Sequence, residues 1–202
     1  IFICRGDHLK AHQLDKVLEG VAPGSDIICT DKVTAGAACT VLLARSLIDN
    51  QHPLMIANCD QFIDINIDDY LAAFNPKTVD GMIMTMRATD AKWSFVRLDQ
   101  RRQVAELREK QVISNEATVG IYNFSKGSDF VSAADSMIAK NIRTNNEFYV
   151  APVYNEMIAN DKKIEIFNIG ELGNGMYGLG TPSDLNAFLK TAIAAKLLRK
   201  NR

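Results

Sequence analysis

The sequence predicts an α/β fold, three layers deep (α/β/α), built around a mixed and mainly parallel central sheet. Three observations predict it. Short apolar runs alternate with helical stretches through the first part of the chain, the pattern of strands joined by crossover helices. A more antiparallel insertion occupies the middle. Leu54-Met55-Ile56-Ala57, four consecutive apolar residues between Pro53 and the polar run Asn58-Cys59-Asp60-Gln61, reads as a strand buried on both faces. Pro53 fits at its first position, where a missing N–H costs least. In such sheets ligands sit outside the carboxyl ends of the strands, so Asp60 stands where chemistry is done.

The other elements follow in order. Ile1 to Cys4 is a short strand, and the Arg5-Gly6-Asp7 turn leads into a helical stretch with Leu9, Leu14, Val17 and Leu18 on one side. That tripeptide reads as a strand-to-loop turn rather than an adhesion motif. His8 and His12 could share a helix face, but no acidic third ligand stands beside them. Pro23-Gly24 breaks the helix, and Asp26 to Thr30 is the next strand. Small residues from Val33 to Thr40 lead into a helix over Val41 to Ile48. Such a junction lets a flat ligand approach free N–H groups, or simply packs a helix closely on a sheet.

Asn66 is placed to cap a helix whose first turn holds Asp68 and Asp69. Gly81 to Met86 is a buried strand, with Met82, Met84 and Met86 as core filling. Trp93 to Asp99 and Val104 to Arg108 alternate like the exposed strands of a hairpin. Thr118 to Phe124 is a strand, and Asp129 to Asn141 a helix with Phe130, Ala133, Ala134, Met137 and Ile138 at core spacing. Glu147 and Tyr149 introduce a helical stretch containing Val153, Met157 and Ile158. Lys163 to Ile169 is a strand, and Gly170 to Gly180 a glycine-rich loop. Thr181-Pro182 starts a last helix, striped by Leu185, Phe188, Leu189, Ile193 and Leu197, with Lys196, Arg199, Lys200 and Arg202 suiting the dipole at its end.

With 202 residues, 47% hydrophobic and 23% charged, a single domain over residues 1–202 is expected. Lys plus Arg number 23 against 24 Asp plus Glu, so no global field favours nucleic acid, and a homo-oligomer is left open. Cys4, Cys29, Cys39 and Cys59 form neither a C-x-x-C pair nor a zinc-like group, which points to a reduced, cytoplasmic setting. No apolar run approaches the roughly eighteen residues of a membrane span. Ile1 opens inside a strand with no signal segment, so the chain is expected to begin partway through a larger protein.

Ala57-Asn58-Cys59-Asp60-Gln61, Glu109-Lys110, Thr118-Val119-Gly120-Ile121-Tyr122 and Gly178-Leu179-Gly180-Thr181-Pro182, in this order and at these intervals, resemble the sugar-phosphate nucleotidyltransferases, also called nucleotide-sugar pyrophosphorylases. Val33 to Leu42 and Asn145 to Asn155 look like a bacterial branch associated with capsule or surface-polysaccharide genes. The resemblance covers nearly the whole chain and implies a Rossmann-like, GT-A-like fold. It further implies that Asp60 binds a divalent metal, Mg²⁺ or Mn²⁺, that bridges the nucleotide phosphates. Lys110 would reach the phosphate of the acceptor and Glu109 would contact the acceptor itself. Gly120 would let the acceptor lie close to the strand. Val33, Thr34, Ala35 and Gly36 would lie against the nucleobase, and Asn58 would join the nucleotide site.

Two departures stand out. The family's opening glycine-rich phosphate loop is absent from these residues, and Gly178 stands where well-studied members place a second metal-binding aspartate; Asp184 nearby reads as a first-turn helix residue. The partners implied are a nucleoside triphosphate and a phosphorylated small-molecule acceptor, such as a sugar 1-phosphate. Two other functions compete. A non-catalytic nucleotide-sugar-binding or regulatory subunit would be consistent with both departures. A metal-dependent glycosyltransferase would show two carboxylates one residue apart at the strand end, where Asn58 and Asp60 offer only one.

Overall fold

The computed structural model describes residues 1–200. Arg202, expected at the end of the last helix, lies outside the described residues, as does the side chain of Lys200. The chain opens with β1 (Phe2–Arg5), α1 (Gly6–His12), α2 (Leu14–Val21) and β2 (Ile27–Thr30). The single helix expected here is broken at Gln13, whose backbone is left-handed (φ 49°). Strands β1 and β2 pair in parallel as a two-stranded sheet. Next come α3 (Ala37–Val41), a 3₁₀ turn and α4 (Arg45–Ile48), so the expected helix is three short pieces.

β3 (Leu54–Ala57) is the strand expected from the apolar run, yet it is not buried on both faces: Met55 is 46% exposed and alternates with half-buried Leu54 and Ile56. Its one strand partner among the described residues is antiparallel β8, on a single edge. After it come β4 (Gln61–Ile63) and α5 (Ile67–Ala73), the latter capped as expected by the Asn66 side chain, which accepts from Asp68 N–H at 3.2 Å. β5 (Gly81–Arg87) is buried through Met86. The expected hairpin is β6 (Ser94–Leu98) and β7 (Val104–Glu109), antiparallel, but Ser94, Phe95 and Val96 are buried rather than exposed.

β8 (Glu116–Phe124), α6 (Gly127–Ala139), α7 (Val153–Ile158) and β9 (Ile164–Leu172) follow the sequence expectation to within a few residues. The glycine-rich stretch does not remain a loop. It contains β10 (Gly175–Gly178), which lies between β9 and β4. The last helix is likewise two, α8 (Pro182–Leu189) and α9 (Ala192–Lys200). Thr181 caps the first, and the Thr191 hydroxyl accepts from Ala194 N–H at the start of the second. The supposed apolar stripe is mostly in solvent: Leu185, Leu189 and Leu197 are exposed.

The eight-stranded sheet runs β4-β10-β9-β5-β8-β6-β7, with β3 also on β8. Pairing directions place β3, β5, β6, β9 and β10 one way and β4, β7 and β8 the other. The sheet is therefore mixed, with most strands sharing one direction. Alternation along β5 divides the core between its faces. Met82, Met84 and Met86 pack with Tyr70 of α5 on one face. Ile83 joins Phe124, Phe130 and Tyr154 on the other, where the Phe124 and Tyr154 rings stack 4.5 Å apart. Aromatic side chains of this size contribute roughly 1.5–3 kcal/mol each through burial. The two tyrosines keep their hydroxyls satisfied at one residue of β8: Tyr70 donates to Asn123 Oδ1 and Tyr154 to Asn123 O, both at 2.8 Å.

β8 exchanges neighbours along one of its edges. Along the opposite edge it pairs with β5 at both its ends, with a register shift between Ile83 and Thr85, whereas along this one its first half meets β6 at Ala117 and its second half meets β3 from Ile121 to Phe124. The neighbours diverge between those points. Gly120 lies at the fork with φ +78°, a backbone that side-chain-bearing residues rarely adopt.

Candidate active site

A cleft of about 430 Å³ opens at this fork. Its floor is β8, where Thr118 and Tyr122 share a hydroxyl–hydroxyl bond of 3.0 Å. Burial pushes the Tyr122 phenol up to about 12, so it is a neutral hydrogen-bonding group at ordinary pH. The walls come from the ends of β3, β6, β7 and β10 and from the segment before α7.

Asp60 lies just beyond β3, on the cleft. Its carbonyl accepts from Leu179 N–H at 2.8 Å, which ties the end of β3 to the turn after β10. Its carboxylate rests against Gly180: a Cβ there would stand 2.7 Å from Oδ2. Asp184 opens on the same cleft. It serves the helix start as expected, since Thr181 Oγ1 accepts from its N–H at 3.1 Å and donates to its Oδ2 at 2.7 Å, but its carboxylate also adjoins Gly178. Two carboxylates thus lie on one rim, though no group of three metal-ligating side chains occurs among the described residues.

Asn58 and Gly120 are brought together. Asn58 N–H donates to Gly120 O at 2.9 Å, and a Cβ on Gly120 would meet Asn58 Nδ2 at 2.5 Å. The space left by the missing side chain is therefore filled by an amide of this chain. Beside it the Gln61 Nε2 donor is buried without a partner among the described residues.

On the opposite wall, Ser94 and Glu109 are cross-strand neighbours, and the Ser94 hydroxyl donates to the Glu109 carboxylate. Burial pushes Glu109 above the usual carboxylate range, against the opposing pull of Ser94 and Lys110; Glu147 adds to the rise. Lys110 follows in left-handed backbone (φ 54°) with its N–H on Trp93 O at 3.0 Å. Its ammonium reaches Tyr149 Oη at 2.9 Å. Asp60, Asn58, Glu109, Lys110 and Gly120 consequently face one cleft. Val33, Thr34, Ala35 and Gly36 do not line it; Ala37, the next residue, does. Val33 is 86% exposed, and Thr34 is held by the Thr40 hydroxyl at 2.6 Å.

Sequence reasoning missed Lys92, Trp93, Tyr149 as a cleft residue, and Asp184 in a double role. Lys92 lies 4.9 Å over the Trp93 ring and places a second ammonium on the wall that carries Lys110. The one sequence signal for it was its position just before Ser94, the strand partner of Glu109.

No family model matches the sequence, and no curated protein matches it. Solved structures do. A nucleoside-diphosphate-sugar pyrophosphorylase from Vibrio cholerae RC9 superposes with a TM-score of 0.77 at 23% identity, over 94% of this chain and 80% of that one. An inositol-1-phosphate CTP transferase from T. maritima does so with a TM-score of 0.69 at 13% identity, over 94% and 73%. A Bacillus anthracis protein provisionally assigned as a glucose-1-phosphate thymidylyltransferase, in complex with sucrose, gives 0.69 at 16%, over 92% and 72%. At these identities the likeness establishes the fold.

Proposed function

We propose that this chain is a nucleotidyltransferase that joins a nucleoside monophosphate, taken from a nucleoside triphosphate, to a phosphorylated small molecule such as a sugar 1-phosphate, with release of pyrophosphate. The observation that carries the reading is the shared cleft: the Asp60 carboxylate and the Lys110 ammonium open onto one volume, with neutral and acidic hydrogen-bonding groups between them. The activities ascribed to the structural neighbours are of this type.

In this reaction an acceptor phosphate oxygen attacks the α-phosphorus. The new P–O bond forms as the bond to the bridging oxygen breaks, and pyrophosphate carries away the electron pair. The nucleophile is already anionic, so no general base is needed. The barrier is the approach of two anions, and catalysis consists of alignment and charge neutralisation. Lys110 supplies a compact positive charge for the acceptor phosphate. Glu109, set by Ser94, accepts hydrogen bonds from acceptor hydroxyls. Asn58 and Ala37, the residue through which the loop 33–37 reaches the cleft, would lie toward the nucleotide.

The Asp60 rim fits a hard divalent cation such as Mg²⁺ or Mn²⁺: its donors are oxygens, and the bare Gly180 backbone leaves the carboxylate accessible. Asp60 would hold the ion, with Asp184 available as a second oxygen donor. Such an ion, when bound, neutralises phosphate charge.

The test is pyrophosphate release by the protein with Mg²⁺, each of the common nucleoside triphosphates and a panel of phosphorylated sugars and polyols. Asp60→Asn should lower turnover by at least about 10²-fold, the scale of losing one preorganised charge-stabilising group. Unchanged turnover in that variant removes Asp60 from the mechanism.

A further inference from the structure

An exposed lysine samples many rotamers and by itself holds its charge at no one point. Lys110 is exposed, yet its ammonium donates to the Tyr149 hydroxyl at 2.9 Å and lies 5.0 Å from the centre of the same ring. Tyr149 is itself fixed by its neighbour. Phe148 is buried, with Arg143 stacked 4.0 Å over its ring. Phe148 N–H donates to Ala35 O at 2.8 Å, and Phe148 O accepts from Ala38 N–H at 2.9 Å. The loop 33–37 and the start of α3 are thus tied to the Phe148 backbone on both its N–H and its C=O. At Gly36 (φ +130°) the backbones approach so closely that a Cβ would stand 2.5 Å from both N and O of Phe148.

We propose that Tyr149 is the positioning residue of Lys110, and that the Phe148 backbone joins it to the loop 33–37, so that nucleotide bound at the loop fixes the lysine for the acceptor. This rests on the nucleotidyltransferase reading for the identity of the two ligands and for the place of the nucleotide at the loop, which reaches the cleft at Ala37, while the chain of contacts from Ala35 to Lys110 does not. The other charged groups that act on Lys110 are Glu109 and Glu147, and neither is altered by removing the Tyr149 hydroxyl. Coupling of this kind is reciprocal, so acceptor bound at Lys110 strengthens nucleotide binding by the same factor.

The experiment measures modification of Lys110 by a soluble acylating reagent, read by peptide mass spectrometry, in the wild type and in Tyr149→Phe, with and without a non-hydrolysable nucleoside triphosphate analogue and Mg²⁺. Lys92, on the same wall, is the internal reference. Without nucleotide, Lys110 should react several-fold faster in Tyr149→Phe and Lys92 at an unchanged rate. With nucleotide, Lys110 should be protected further in the wild type and much less so in the variant. In turnover, the variant should raise the acceptor KM at saturating nucleotide by about 10-fold, within the usual range of coupling between sites, and leave the affinity for the nucleoside triphosphate analogue, measured without acceptor, unchanged. Equal Lys110 reactivity in both proteins overturns the positioning role. Equal protection by nucleotide in both means direct shielding and overturns the coupling. A wild type that binds no nucleoside triphosphate overturns the function reading and the coupling together, while the nucleotide-free comparison still decides what Tyr149 does to Lys110.

Discussion

Gly120→Ala probes the fork directly. The residue has φ +78°, and a left-handed backbone costs a side-chain-bearing residue about 1–3 kcal/mol. The new Cβ would also lie 2.5 Å from Asn58 Nδ2, 2.8 Å from Asn58 Cγ and 3.1 Å from Gln61 Oε1. Forcing such neighbours aside costs about 1–3 kcal/mol more. The lower sum, about 2 kcal/mol, corresponds to a fall in Tm of roughly 4–8 °C for a domain of this size. Gly173→Ala is the control: its φ is +83°, but nothing lies within 4 Å of the added Cβ, so it bears the backbone cost alone. Thermal unfolding followed by circular dichroism should show Gly120→Ala well below Gly173→Ala. Adding Asn58→Ala to Gly120→Ala should recover the steric part, because the two sites share a contact and their effects are not additive. Equal melting of the two glycine variants, or additivity of the double variant, would refute the account of why glycine is needed at the fork.

Other outcomes follow from the polar groups. Glu156 is buried; burial pushes its carboxyl up, but the Lys140 ammonium at 2.7 Å and the Ser136 hydroxyl at 2.6 Å outweigh this and hold it below the usual range. Lys140→Met should cost about 1–3 kcal/mol at neutral pH. Because the folded pKa is depressed, that stabilisation is present above the unfolded value and is lost as pH falls through the folded one, so the Tm gap between variant and wild type should close in acid. A gap that stays constant down to pH 3 contradicts the pairing. Glu109 runs the other way: burial raises its pKa, so relative to Glu109→Gln the wild type is favoured in acid and loses that advantage as pH rises through the raised value. Ser94→Ala should move the Glu109 titration, followed by carboxyl carbon NMR, still higher; a downward move shows that the Ser94 hydroxyl does not stabilise the carboxylate.

Elements set by neighbours in the chain were legible in the sequence. Asn66 and Thr181 announce helix starts because a side-chain oxygen two or three residues before an amide caps it locally. The methionines of β5 and the β6–β7 hairpin follow from period-two alternation and a short connection. The order of strands and helices, and Asp60 at the end of β3, came from the same source. The resemblance added Lys110, Glu109, Asn58 and Gly120, which face the cleft, and Val33, Thr34, Ala35 and Gly36, which do not line it.

What the sequence could not carry depended on partners far along the chain. β10 was hidden in a glycine-rich stretch because its strand character comes from pairing with β4 and β9, not from its own composition. The burial of β3 was misjudged because an apolar run says nothing about how many faces are covered. Local periodicity likewise could not show that Gln13 and Thr191 interrupt helices, since a single left-handed residue or an internal cap leaves the apolar spacing on either side intact. Above all, the cleft exists because one long strand exchanges neighbours along its edge, bringing together residues 37, 58, 110, 149 and 184. Sequence patterns determine which segments become strands and helices, whereas non-local pairing decides which ends meet, and the chemistry of this chain is assembled at those ends.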